Sequence, residues 1–284
     1  MGNIVGVLGC GVMGRAIAIT LASAGFKVGA WNRSFDAAQR LERFGVHAYE
    51  SLEDLVCESD IVLSVLSNYD VVSSVVHRVA HKFKGRVLVN LTSGFSESAL
   101  EMDSWARENK INYLDGTIWT LPDEIGKRTT ALSFSGSREV WESIESVAKV
   151  LGGRAFYVGE NVALANVMEA AFPGAFYMSS ILSFLEGVRL AKSYGVEKKH
   201  IEAAIDPVLE LLRTSAVDCL ERAFSGNFSE SQACIGVLAN AVNGYSKNKL
   251  ALPRPPMFSA LQDALNKAVA DGLGAVDVSV LSLH

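Results

Sequence analysis

The feature that most constrains this chain is the glycine spacing Gly9-Cys10-Gly11-Val12-Met13-Gly14, set directly after the short apolar run Ile4–Leu8. G-x-G-x-x-G alone is a weak signal. Here a strand signal precedes it and a helix signal, Val12–Ala24, follows, and that context makes it a dinucleotide-binding turn. The first glycine permits the tight turn, the second lets backbone approach a pyrophosphate, and the third lets helix and strand pack closely. The helix N-terminus offers free N–H groups and the positive end of the helix dipole to the anion. Gly9, Cys10, Gly11, Val12, Met13 and Gly14 are therefore candidate cofactor contacts.

The strand and helix signals then alternate. Strands are expected at Val28–Trp31, Ile61–Leu66, Val87–Leu91, Ile111–Asp115, Ala131–Ser135 and Ala155–Val158. Between them the pattern predicts a helix capped by Ser34 and running to about Arg43. Further helices are expected at Val71–Val79, from a Ser96 cap to about Glu108, and over Glu139–Val150. Such alternation implies an α/β Rossmann domain, a doubly wound and mostly parallel sheet. Past about residue 160 no strand signal remains. Val162–Tyr194 reads as one long apolar helix kinked at Pro173. Helices at about Pro207–Phe224, Glu230–Lys249 and Met257–Ala270 follow, with a turn at Pro253–Pro256. The expected organisation is a nucleotide-binding domain over 1–160 and an all-α domain over 161–284, opening with the long helix at about 162–194. A helix this apolar needs cover on most sides, which a homodimer with the partner's domain wrapped around it would supply.

The second strand selects the cofactor. An NAD enzyme places Asp or Glu at its end to hold the ribose 2′-hydroxyl. This strand ends Trp31-Asn32-Arg33-Ser34, with no carboxylate. The Arg33 guanidinium matches a 2′-phosphate, and Asn32 and Ser34 offer neutral hydrogen bonds, so NADPH is expected. Two later loops, Leu66-Ser67-Asn68 and Leu91-Thr92-Ser93-Gly94, follow strands on the cofactor side. Thr92 and Ser93 can donate to the cofactor, or they are ordinary turn residues.

Composition excludes other classes. Of 284 residues, 49% are hydrophobic and 20% charged, enough for a large core and wrong for disorder. The net charge of −5 carries no basic cluster for nucleic acid. The cysteines Cys10, Cys57, Cys219 and Cys234 have neither disulfide-framework nor zinc spacing, so no metal is expected. With neither a signal peptide nor a membrane span in the pattern, a cytoplasmic location is expected.

The chain resembles the NADPH-dependent imine reductases, relatives of the β-hydroxyacid dehydrogenases. The residues that carry the resemblance are Val7–Gly14, Trp31-Asn32-Arg33-Ser34, Asn90-Leu91-Thr92-Ser93-Gly94 and Leu114-Asp115-Gly116-Thr117-Ile118, with Leu151-Gly152-Gly153 and Tyr157-Val158-Gly159-Glu160. The resemblance implies a Rossmann domain, a long interdomain helix, a C-terminal domain of the 6-phosphogluconate dehydrogenase type and a domain-exchanged homodimer. It also implies hydride transfer to C=N.

β-Hydroxyacid dehydrogenases use a lysine near the start of the long helix as acid and base. This chain has no lysine between Lys149 and Lys192. By alignment, Glu169 and Tyr177 fall at functional positions of the family. Eight residues apart, they would lie roughly 12 Å apart along a regular helix and roughly 80° around it. Tyr177 would donate a proton or orient the imine nitrogen, or else pack as an aromatic. Glu169 would stabilise the iminium charge, or else reach solvent or pair with an arginine. Trp119, with Phe172, Phe176 and Met178, would line an aromatic pocket or a core. A pocket favours a flat aromatic or indole-derived imine of secondary metabolism. Asn240 is a further pocket candidate from the alignment. The competing functions are a hydroxyacid dehydrogenase-like carbonyl reductase and a non-catalytic NADP-binding protein.

Overall fold

A computed structural model describes residues 4–229, 233–246 and 255–283. Its backbone divides into two compact units, Met1–Phe176 and Tyr177–His284.

The first unit is built on eight strands: β1 (Ile4–Leu8), β2 (Lys27–Trp31), β3 (Val46–Ala48), β4 (Ile61–Ser64), β5 (Val87–Asn90), β6 (Asn112–Ile118), β7 (Ala131–Gly136) and β8 (Arg154–Gly159). They form one sheet in the order β3-β2-β1-β4-β5-β6-β7-β8. Every neighbouring pair is parallel except β6–β7. The expected α/β sheet is present, and its order reverses between β1 and β4, where ligands of such sheets sit.

Strand periodicity assigns the core to two faces. On β5, Leu88 faces one buried cluster and Val89 the other. The Val89 face is covered by α1 (Val12–Ser23), α2 (Phe35–Gln39) and α6 (Arg138–Leu151). The Leu88 face is covered by α3 (Leu52–Glu58), α4 (Tyr69–Val76) and α5 (Ser96–Glu108). On α6, Val140, Trp141, Ile144, Val147, Ala148 and Leu151 repeat at helical spacing and are all buried. Each such large apolar side chain contributes about 1.5–3 kcal/mol on burial. Helix α7 (Leu164–Glu169) then packs on β6, β7 and β8.

Several local expectations need correction. β4 stops at Ser64, so Leu66 lies in the following loop. β3 and α3 carry no expectation from the sequence. Ser34 occupies the N-cap of α2 but makes no capping hydrogen bond. Ser96 is the first residue of α5 and Phe95 its cap; the Ser96 hydroxyl donates to Glu97. The predicted kink at Pro173 is a wide π segment, Ala170–Tyr177, because proline lacks the N–H that α-helical spacing needs.

The second unit contains α8 (Met178–Ser193), α9 (Lys198–Ser225), α10 (Ile235–Tyr245) and α11 (Pro256–Ala270). Its described core is small: Ile235, Ala239, Leu265, Ala268 and Val280. The Glu186 carboxylate on α8 accepts from the amides of Met257 and Phe258, capping α11. Helix α9 begins nine residues before Pro207, and the proline sits inside it. A 28-residue helix absorbs the one lost hydrogen bond that would end a short one. The expected Glu230–Lys249 helix is observed as α10, while its first and last residues and the first two of the Pro253–Pro256 turn lie outside the described residues.

Candidate active site

The glycine loop lies at the sheet's reversal, between β1 and α1. Gly9 has φ +102°, a region that L side chains rarely adopt. A Cβ on Gly9 would stand 2.3 Å from the Val65 carbonyl oxygen, and one on Gly14 1.9 Å from the Gly9 oxygen. A Cβ on Gly11 would meet nothing within 4 Å, so this backbone faces open space. Helix α1 starts without a side-chain cap and without an acid in its first turn. An open backbone cradle at an uncapped helix N-terminus fits a pyrophosphate. Burial pushes the Cys10 thiol up to about 11, so it stays neutral beside that cradle.

After β2, Asn32 holds the loops together. Its Oδ1 accepts from the Cys10 amide at 3.1 Å and its Nδ2 donates to the Ser34 carbonyl at 3.1 Å. The side chain expected to meet the cofactor is thus engaged with the protein. Arg33 and Ser34 are exposed, with no carboxylate between them and the strand end. Thr92 is likewise internal. It is 2% exposed, and its hydroxyl accepts from the Leu66 amide at 3.0 Å, joining the loops after β4 and β5. Asn68 caps α4 by accepting from the Val71 amide at 2.9 Å. Ser67 and Ser93 are exposed.

Ser93 meets the residue the sequence singles out. Its Oγ donates to Glu169 Oε1 at 3.0 Å across 76 positions of sequence. Burial raises the Glu169 pKa, and the Ser93 hydrogen bond lowers it, with burial the larger. Both line a cavity of about 630 Å³ with Asn68, Tyr69, Pro173 and Gly174, at the carboxyl end of the strands. A slightly larger cavity, of about 680 Å³, lies at the other end of β5 and β6. Its Arg107 and Arg138 pair with Asp103 and Glu142, and its further carboxylates, Glu139 and Glu160, are exposed where Glu169 is half-buried.

Trp119 packs edge-on to Phe156 at 5.3 Å and near-parallel to Phe172 at 6.2 Å, and its indole N–H donates to Thr117 at 2.9 Å. Phe172 and Phe176 are each 47% exposed. Tyr177, Met178 and Asn240 belong to the second unit, where all three are exposed.

The sequence reading missed a buried network behind the cavity. Asp115, 0% exposed, accepts from Tyr69, Tyr113, Asn90 and Asn166. A carboxylate inside an apolar strand was the available signal, because such a charge is costly unless fully bonded.

Among the described residues there is no group of three or more His, Cys, Asp or Glu able to hold a metal, and no helix long and apolar enough to cross a membrane.

Known proteins similar to this chain match it over nearly its whole length. The chain is 25% identical, over 99% of its length and 96% of the relative's, to an NADPH-dependent reductive aminase of Aspergillus oryzae. It is 23% identical to glyoxylate/succinic semialdehyde reductase 1 of Arabidopsis thaliana, over 98% of this chain and 96% of that one. A solved imine reductase from Myxococcus stipitatus in complex with NADP+ is 27% identical, covers 98% of each chain and superposes with a TM-score of 0.85. The resemblance to imine reductases read from the sequence therefore extends along the whole chain and to its fold. Residues 4–159, more than half of the chain, match the NAD binding domain of 6-phosphogluconate dehydrogenase, and the chain belongs to that family.

Proposed function

We propose that this chain is an NADPH-dependent oxidoreductase that reduces the C=N bond of an imine or iminium ion to an amine. The observation that carries this reading is Glu169: a half-buried carboxylate, on a helix without lysine, facing a cavity beside the cofactor loops. A carboxylate there stabilises a cationic iminium, whereas the ketone and alcohol chemistry of hydroxyacid dehydrogenases relies on a lysine. The residues 1–160 would hold the cofactor, and 161–284 would supply substrate and dimer contacts.

When bound, NADPH supplies the hydride. Gly9, Gly11 and Gly14 with the first turn of α1 would hold its pyrophosphate, and Arg33 would face the 2′-phosphate. Asn32, Thr92 and Asn68 keep the surrounding loops in place. Glu169 balances the positive charge of the iminium, and Ser93 orients the carboxylate. Burial raises its proton affinity, which suits it to hold a proton for an imine that arrives neutral. Tyr177 donates a hydrogen bond or proton to the nitrogen. The Trp119–Phe172 stack favours a flat, aromatic or indole-derived substrate, and Phe176, Met178 and Asn240 stay candidate substrate contacts, each within its own unit.

The apolar faces of α8 and α9 support a domain-exchanged homodimer: Phe184, Leu185, Leu209, Leu211, Val217 and Leu220 are all exposed in the single chain. Four unpaired cysteines suit a reducing, cytoplasmic compartment.

The test is NADPH consumption with cyclic imines set against ketones and hydroxyacids. Turnover of imines alone supports the proposal. Turnover of carbonyls alone would assign the chain to the class of its Arabidopsis relative, and binding without turnover would make it a non-catalytic NADP-binding protein.

A further inference from the structure

Behind the cavity runs a buried polar row. Ser64, Asn90 and Asp115 stand in register on β4, β5 and β6, each 0% exposed. Asp115 Oδ1 accepts from Tyr69 Oη at 2.9 Å and from Asn166 Nδ2 at 2.9 Å. Its Oδ2 accepts from Tyr113 Oη at 2.5 Å and from Asn90 Nδ2 at 3.3 Å. Four neutral donors surround one carboxylate, and no cation is among these partners. Burial pushes the Asp115 carboxyl up to about 6, against the pull of the four donors. A carboxylate in this place is costly, and a strand core of apolar residues would avoid that cost.

The network reaches both sides of the Ser93–Glu169 contact. Asn166 lies one helical turn before Glu169 on α7, and its Nδ2 serves only this network, bonding Asp115 at 2.9 Å and Tyr69 at 3.1 Å. On the other side, the Tyr69 ring lies flush against Gly94, where a Cβ would come within 2.3 Å of ring carbons. Gly94 follows Ser93 directly. The two halves of the contact thus converge on one carboxylate.

We infer that Asp115 is a positioning residue for Glu169: by fixing Tyr69 beneath the loop of Ser93 and Asn166 on the helix of Glu169, it holds the two side chains in hydrogen-bond reach. This rests on the reading of Glu169 as part of the reacting site. Asp115 touches neither the cavity nor a ligand position and acts only through its neighbours. Its role explains why a charge persists where packing alone would favour leucine.

The experiment is a double-mutant cycle. Tyr69→Phe removes one hydroxyl and keeps the ring under Gly94; Asp115→Asn keeps the shape and alters the donor pattern. Each is combined with Glu169→Gln and assayed at about pH 8, above the Asp115 midpoint. Each single change is expected to lower imine turnover about tenfold with the KM for NADPH unchanged, and to cost less than about twofold once Glu169 is Gln. An equal factor in both backgrounds would mean plain structural damage and would overturn the inference. Carboxyl NMR of the substrate-free protein supplies a second readout: Tyr69→Phe should raise the Glu169 midpoint by loosening the Ser93 bond, and an unmoved midpoint also overturns it. Should the wild type reduce no imine, the proposed function falls, while the NMR titration still decides whether Asp115 positions Glu169. Tyr69→Phe keeps the test open if Asp115→Asn does not fold.

Discussion

Ser93→Ala isolates one contact. The Ser93 hydroxyl donates to Glu169 Oε1 at 3.0 Å, and it is the interaction that opposes burial in setting the Glu169 pKa. Hydrogen bonds to a charged group contribute about 1.5–3 kcal/mol when shielded from water. Ser93 is exposed and Glu169 half-buried, so water replaces part of the loss, leaving about 0.5–1 kcal/mol. That corresponds to roughly a two- to fivefold fall in kcat if the orientation persists in the transition state. The sign of the pH dependence follows from the direction of the shift. Glu169 has its folded pKa raised, so its contribution to stability is fully present at acid pH and is lost as pH rises through the folded value. Removing Ser93 pushes that value further up. The stability gap between wild type and Ser93→Ala should therefore be small at acid pH and widen as pH rises through the Glu169 titration. Thermal unfolding across a pH series, with Glu169→Gln as control, measures it. A gap of the same size at both ends, or one that survives in the Glu169→Gln background, would refute the reasoning.

Arg33→Ala should raise the KM for NADPH about 10- to 100-fold while leaving NADH within about threefold, and equal effects on both would remove the 2′-phosphate assignment. Tyr177→Phe should lower kcat at least about tenfold at unchanged NADPH affinity in steady-state assays, whereas unchanged turnover would assign the ring to packing. Gly14→Ala places a methyl 1.9 Å from the Gly9 oxygen and should abolish NADPH binding by calorimetry. Light scattering at about low-micromolar concentration should report a dimer, since a monomer would leave the apolar faces of α8 and α9 in water.

Local pattern was enough for the nucleotide-binding half. The apolar runs of β1, β2, β4 and β5 stand between glycines and helix signals, and their order of alternation permits few topologies. The glycine turn was legible for the same reason: the positive φ of Gly9 and the close approaches at Gly9 and Gly14 belong to their own backbone. β3 was not legible, because three residues carry no period and only pairing with β2 defines them. Pro207 misled, because a short-range rule reads it as a helix start while the surrounding 28 residues stay helical.

Side-chain roles divide along the same line. Sequence could name Asn32 and Thr92 as polar groups near the cofactor, but only the packed loops reveal that their hydrogen bonds are used within the protein. It could place Glu169 at a functional position of the family, but its partner Ser93 lies 76 positions away. Asp115 takes donors from α4, β5, β6 and α7, at separations of 46, 25, 2 and 51 residues. Periodicity and turn chemistry act over a few residues, so the sequence determined most of the elements and the glycine turn. Which distant side chains share a proton or a hydrogen bond depends on strand order and helix packing, and those only the tertiary structure decided.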